Sequence, residues 1–160
     1  MTHNKLRLLV IPSWYPPRGG DFFADHSLAL ARSGINTGIL AIHNTSMGRH
    51  GLKRWIRLPQ SGFRANGPCM EYHRYTRIIP GMDKANTRRW IKQGLNAYEI
   101  WAKEQGIPDI ILAHSSVWGG ALASIIKKRY GIPYIITEHR GRFSGSNTHT
   151  EQWFRPWHFP

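Results

Sequence analysis

Short apolar runs alternate with segments of helical spacing along the chain. Short apolar stretches occur at Leu6–Ile11, which is interrupted by Arg7, and at Gly38–Ile42, Ile110–Ala113 and Tyr134–Thr137. Runs of this length, bounded by Gly or Pro, are typical of strands buried on both faces of a parallel sheet. Met70–Ile79 alternates more loosely and predicts a further strand.

Three longer segments repeat apolar residues at helical spacing, which predicts helices over Asp21–Ser33, Asn86–Gln105 and Gly119–Tyr130. Asp21 is placed to cap the first helix, and Gly34 follows its last turn in the usual terminating position. Strands that alternate with helices predict an α/β fold, here a Rossmann-like three-layer domain with a mostly parallel sheet.

Two stretches lack a clear period. His43–Pro68 is rich in Arg and Lys with scattered aromatic residues, and it predicts a long surface loop with at most a short helix. Gly141–Pro160 is aromatic and irregular, with no strand or helix to complete the layers. We therefore expect residues 1–160 to be one domain of a longer, truncated protein.

The charge is strongly positive, since 22 Lys and Arg against 9 Asp and Glu give a net charge of +13. Such a surface attracts polyanions. The basic residues are densest between Arg49 and Arg89 and form no like-charge tail. This distribution favours an anionic membrane surface or a small anionic substrate over nucleic acid.

Cys69 is the single cysteine, so no intramolecular disulfide can form, which favours a reducing compartment. No apolar stretch is long enough for a signal peptide or a membrane helix. We expect a cytoplasmic protein, with peripheral attachment to the inner face of the membrane as an open alternative.

Three polar segments follow predicted strands: Ser13–Asp21, His114–Gly120 and Glu138–Arg142. Ligands bind at the carboxyl ends of strands in parallel sheets, so these segments should converge on one site. Gly19 and Gly20, before a helix start, would let backbone N–H groups approach an anion. An ordinary strand-to-helix turn explains those two glycines equally well.

His114 at a strand end is more often a structural hydrogen-bonding residue than a ligand-binding one. The acid, histidine and cation at Glu138, His139 and Arg140 are costly to hold together unless paired or used, which favours function there. The sequence contains no dinucleotide fingerprint, phosphate-binding loop or Cys/His metal pattern. No metal and no cofactor are predicted.

Two stretches carry a family resemblance. I-P-S-W-Y-P at Ile11–Pro16, followed by G-D-F-F-A-D-H-S-L-A-L at Gly20–Leu30, resembles the first strand and helix of one branch of family 4 glycosyltransferases. P-D-I-I-L-A-H-S at Pro108–Ser115 and G-I-P-Y-I-I-T-E-H at Gly131–His139 are similar to that family's second cluster. The matched segments follow the family's order and are spread between Ile11 and His139.

The resemblance implies a GT-B enzyme with two Rossmann-like domains, of which this chain is the amino-terminal, acceptor-side half. Such an enzyme transfers a hexosyl group from a nucleotide sugar to a glycan or lipid-linked acceptor. It retains the anomeric configuration and acts in polysaccharide or glycolipid biosynthesis. The nucleotide sugar is its co-substrate, and a metal ion is usually not needed.

The resemblance also implies roles for single residues. The donor diphosphate would approach Gly19 and Gly20, and His139 would be the catalytic residue beside the transferring sugar. The acceptor would contact His114, Ser115 and Arg140.

The family's donor-side E-x7-E pair has no counterpart, because no two Glu here are eight residues apart. The carboxyl-terminal donor domain is therefore an expected missing partner, and this chain alone should be inactive. The alternative reading is a basic α/β module that binds nucleic acid or anionic surfaces, although it lacks an aromatic-basic strand or a recognition helix. On the glycosyltransferase reading, nucleic acid is not an expected partner.

Overall fold

The computed structural model describes residues 5–17 and 19–138. The strands are β1 Arg7–Pro12, β2 Asn36–Ser46, β3 Gly62–Asn66, β4 Cys69–Ile78, β5 Ile110–His114 and β6 Tyr134–Thr137. The helices are α1 Asp21–Arg32, α2 Met47–Ile56, α3 Asp83–Gln105 and α4 Ala121–Tyr130.

All six strands form one sheet in the order β3-β4-β2-β1-β5-β6. Every neighbouring pair is parallel except β3 and β4, which are antiparallel. β1 lies in the middle, where Leu8 aligns with Thr37 of β2 and with Ile110 of β5. The predicted α/β class, a Rossmann-like domain with a mostly parallel sheet, is confirmed.

The core has two layers because strand residues alternate between the faces of the sheet. Leu9 and Ile11 of β1 belong to the larger cluster, which holds Trp90 of α3 and Leu122 of α4. Val10 belongs to the second cluster, on the face covered by α1. The sheet is thus covered on both faces, which fits a central strand that is apolar from Leu8 to Pro12.

The strand order reverses between β1 and β5. The chain first builds outward from β1 through β2 and β4, and then returns to place β5 and β6 on the other side. A crevice opens outside the carboxyl ends of the strands at such a reversal, and this is where ligands bind in open α/β sheets.

Most predicted elements lie within a few residues of the observed ones, and β6 matches Tyr134–Thr137 at both ends. The cap of α1 differs from expectation. Gly20 occupies the cap position with a left-handed backbone, and Asp21 is the first helical residue. α4 begins at Ala121, because an irregular turn over Ser116–Gly120 precedes it.

The prediction of a long loop over His43–Pro68 is wrong. β2 continues through Ser46, and α2 and β3 follow. Helix α2 buries none of its residues, so it has no apolar face that packs against the core, and Gly51 breaks its backbone with a φ of 75°. β3 is an edge strand with an exposed centre. Neither element leaves a strong apolar period in the sequence.

None of the described helices is both long enough and apolar enough to cross a bilayer.

Candidate functional site

The segments after β1, β5 and β6 meet at the switch point between β1 and β5. Ser13, directly after β1, has its Oγ 2.8 Å from the carbonyl oxygen of His114 and 2.5 Å from that of Val117, and its single hydroxyl proton can be donated to either oxygen. The same Oγ accepts a hydrogen bond from the Gly119 amide at 3.0 Å. One buried hydroxyl therefore ties the end of β1 to the turn that follows β5.

That turn has an uncommon backbone. Ser115 has a φ of 74°, and Trp118 has φ 65° and ψ −69°. A positive φ at a residue other than Gly costs on the order of 1–3 kcal/mol and persists only where surrounding bonds impose it. Ser115 is held on both sides, since its amide donates to Thr137 O and its carbonyl accepts from Gly120 N, both at 2.9 Å.

Glu138 joins the end of β6 to the same turn. Its Oε2 accepts hydrogen bonds from the amide of Ser116 at 2.9 Å and from the Ser116 hydroxyl at 3.0 Å. Both residues are half-buried, so the carboxylate lies at the border between the core and the open edge. Ser13, Ser116 and Glu138 all lie in the polar segments predicted to converge on one site, although the sequence predicts no individual role for Ser13 or Ser116.

Gly20 is fixed by its surroundings. Its φ is 86°, and a Cβ at this position would come within 2.9 Å of the Trp14 carbonyl oxygen. Gly19 also has a positive φ, of 84°, but its surroundings are open. The first turn of α1 has no side-chain cap. Of the two predicted diphosphate-binding glycines, Gly19 is exposed at this edge and Gly20 forms the turn behind it.

His114 lies at the end of β5 as predicted, but its side chain is fully buried. Its ring centroid is 4.5 Å from that of Phe23 and 5.7 Å from that of His26. β5 directs Leu112 and His114 onto the face covered by α1, so the ring packs under that helix. Ser115 is also buried. The side chains of His114 and Ser115 are therefore not exposed at the surface, where the predicted contacts with an acceptor would have to form.

Of the remaining predicted residues, His139 and Arg140 lie outside the described part of the chain. The described residues bring Gly19, Gly20, His114 and Ser115 to the same edge of the sheet.

A second polar cluster, which no sequence motif predicts, lies on the α1 face between β2 and β4. Glu71 Oε1 accepts from the Tyr15 hydroxyl and from Asn66 Nδ2, both at 2.6 Å. Glu71 Oε2 lies 2.7 Å from His73 Nε2, and His73 Nδ1 lies 2.8 Å from His43 Nε2. His43, Glu71, His73 and Tyr15 are all buried.

Hydrogen bonding sets the charge of this cluster. Burial alone would raise the pKa of Glu71, but the hydrogen bonds from His73, Tyr15 and Asn66 outweigh burial and lower it. Burial raises the pKa of Tyr15, and its hydrogen bond to Glu71 raises it further. At neutral pH the cluster therefore holds a buried carboxylate and a protonated phenol. The spacing of Glu71 and His73 on one strand face was a visible signal, but their pairing with His43 depends on the strand register.

Among the described residues, no group of three or more His, Cys, Asp or Glu is arranged to hold a metal ion. Comparisons with models of protein families and with curated protein sequences find no match to this chain.

Proposed function

We propose that this chain is the amino-terminal, acceptor-side domain of a retaining glycosyltransferase of the GT-B type. The enzyme would transfer a hexosyl group from a nucleotide sugar to a glycan or lipid-linked acceptor, in polysaccharide or glycolipid biosynthesis. The Rossmann-like sheet and the ordered family-like motifs support this proposal, and we expect a cytoplasmic enzyme.

One observation carries the proposal. The turn after β5 holds strained backbone at Ser115 and Trp118 beside the loop that ends in Gly20, at the reversal point of the sheet. Strain of this kind is concentrated at ligand sites. The same two segments carry the resemblance to family 4 glycosyltransferases, so the pattern in the sequence and the unusual geometry coincide.

The roles divide between the segments. The open backbone at Gly19 and the uncapped start of α1 suit the diphosphate of a nucleotide sugar, because amide N–H groups and the helix dipole favour negative charge. Ser116 and Glu138 offer a hydroxyl and a carboxylate for sugar hydroxyls. We keep His139, the next residue after Glu138, as the proposed catalytic residue and Arg140 as an acceptor contact.

A titration of the isotope-labelled chain with UDP or GDP, followed by NMR, tests the proposal. We expect amide shifts in Gly19–Asp21 and in Ser115–Gly120. Gly19→Val should weaken nucleotide binding by about fivefold or more, since a side chain would cover the amides. Gly34→Val is the matched control, because Gly34 also has a positive φ and open surroundings but lies at the far end of α1.

Turnover is a second readout. The chain alone should not transfer sugar from a nucleotide sugar, since the donor domain would supply the remaining contacts. Nucleotide shifts that avoid both segments would contradict the proposal. A single-stranded oligonucleotide that shifts these amides where UDP and GDP do not would favour the alternative of a basic nucleic-acid-binding module.

A further inference from the structure

A cleft of about 460 Å³ opens at the carboxyl end of β4, away from the switch point. Its walls come from Arg74–Arg77 of β4, from Arg89 and Gln93 of α3, and from Trp55 of α2 with the segment after it. Ligand pockets commonly span about 300–1,000 Å³, so the cleft is large enough for a small molecule. β2 separates β4 from β1, so this cleft is distinct from the site described above.

Three arginines line the cleft, Arg74, Arg77 and Arg89, and no Asp or Glu is among its lining residues. Arg77 donates to the carbonyls of Trp55 and Ile56, each at 2.8 Å. Arg89 donates to the Arg77 carbonyl at 3.1 Å. These partners are neutral, so the guanidinium groups are fixed in place while their charge is not compensated within the cleft. Half-buried positive charge without a counter-charge favours an anionic ligand.

Two groups in the cleft have hydrogen-bonding capacity left. Arg74 donates from Nε to Gln93 Oε1 at 2.8 Å, which orients its guanidinium and leaves the terminal nitrogens without a partner among the described residues. Thr76 is 3% exposed, and its Oγ1 has no hydrogen-bond partner within the described chain. Buried hydroxyls are nearly always paired, so an unpaired one that lines a cationic cleft points to a ligand.

We infer that this cleft binds a phosphate or diphosphate group, carried either by a small molecule or by a lipid headgroup. Arg74 donates through its terminal nitrogens, Thr76 donates through its hydroxyl, and Arg77 and Arg89 supply positive charge from behind. Guanidinium groups suit phosphate because their planar N–H donors match two of its oxygens. The inference does not depend on glycosyl transfer.

The two sources of phosphate have different routes to the cleft. A soluble phosphate ester enters from solvent. A lipid headgroup would be presented beside α2, whose Leu52 and Ile56 are each 55% exposed and whose last residues contact Arg77.

Calorimetric titration of the whole chain with sodium pyrophosphate, at fixed ionic strength, tests the first source. Arg74→Gln should weaken binding by about tenfold, the loss typical of one charge-assisted hydrogen bond, and Thr76→Val by about threefold to tenfold. Arg88→Gln is the matched control, because Arg88 is exposed on α3 and does not line the cleft. Thr76→Val should leave Tm unchanged or raise it, since the hydroxyl loses no partner.

Cosedimentation with phosphatidylcholine vesicles, with and without phosphatidic acid, tests the second source with the same variants. Binding of either probe that falls in Arg74→Gln and Thr76→Val but not in Arg88→Gln supports the site and identifies its source. Failure of both probes, or equal loss in Arg88→Gln, overturns it. A single-stranded oligonucleotide that binds more tightly than pyrophosphate through Arg74 and Thr76 also overturns it, in favour of nucleic acid.

Discussion

Glu71 is a carboxylate held in the interior by donors from separate parts of the chain. Tyr15 comes from the loop after β1, Asn66 ends β3, and His73 lies on β4 beside Glu71 itself. Removing the charge leaves these donors with a weaker acceptor in a buried place, where unpaired polar groups are costly. The cluster thus fixes the loop after β1 against the outer strands.

Glu71→Gln should lower the free energy of unfolding by roughly 2–3 kcal/mol at pH 7, the cost of weakening charge-assisted hydrogen bonds. The pKa of Glu71 is lowered from its ordinary 4.5 in the folded state. Its contribution is therefore present above that value and is lost as pH falls through the folded pKa. Thermal unfolding measured between about pH 3 and pH 8 should show that stability falls less steeply with decreasing pH in the variant than in the wild type.

Glu104→Gln is the control for this measurement, since Glu104 is exposed near the end of α3. It should change stability by less than about 0.5 kcal/mol. A Glu71→Gln protein with the wild-type acid decline would show that the buried carboxylate is not what links stability to pH.

The sequence predicted where a residue lies in a strand or helix more readily than which side chains surround it. His114 was recognised at a strand end, but its burial under α1 depends on Phe23 and His26, about 90 residues earlier in the chain. The sequence does not predict a role for Glu71, because the neighbours of an acidic residue in a strand depend on the register of β4 with β2. Long-range packing decides both cases: the spacing of Glu71 and His73 is visible in the sequence, but their neighbours in the fold are not.

At the scale of elements, α3 packs on the sheet over Gly38 of β2, which has no side chain. A Cβ at Gly38 would overlap the ring of Trp101, which is buried in the larger core cluster. Close contact between this helix and the sheet therefore depends on glycine at that position.

Gly38→Ala should destabilise the fold by about 1–3 kcal/mol, the usual cost of overpacking, because Trp101 must move. Urea unfolding followed by fluorescence measures the change. Gly62→Ala is the control, since its Cβ would meet no atom within 4 Å and its backbone is not left-handed. Equal effects of the two substitutions would place the cost in strand propensity and not in the contact with Trp101.

Helix α2 gives the expected interaction with anionic membranes a structural basis. Arg49, Lys53, Arg54 and the following Arg57 are all exposed, as are the apolar Leu52 and Ile56. Each basic residue near an anionic surface contributes about 1 kcal/mol, and exposed apolar side chains can enter the headgroup region.

The variant Lys53→Gln with Arg54→Gln should reduce binding to anionic liposomes by about thirtyfold, roughly 2 kcal/mol, and salt should weaken what remains. Lys128→Gln with Arg129→Gln removes the same charge from the end of α4 and serves as control. Equal binding to neutral and anionic liposomes, or equal loss in both double variants, would contradict a role for α2.

Elements that bury an apolar face were predictable, and elements held by their neighbours were not. β1 buries its apolar residues Leu9, Val10 and Ile11, and α1 buries Phe23. β3 exists because it pairs with β4, from Asn66 opposite Cys69 to Gly62 opposite His73. Its sequence alone, with Arg64 at its centre, resembles a polar loop.

The whole molecule has an unbalanced charge. The net charge is +13, and among the described residues the close contact between a carboxylate and a basic side chain is that of Glu71 with the His73 ring. Most cations of the described residues therefore face solvent or neutral partners, and we expect this surface as a whole to attract anions. Composition predicted this attraction, but the concentration of arginines in a cleft at the end of β4 required the structure.

The central place of β1 has a consequence for the time course of synthesis. Leu8 pairs with Ile110, so one side of β1 stays uncovered until about 100 further residues have been made. At 5–20 residues per second, that interval is on the order of 5–20 s. Throughout it the nascent chain exposes the apolar residues Leu9, Val10 and Ile11. The core is complete only when β5 pairs with β1. During that interval, chaperones that bind apolar segments can bind β1.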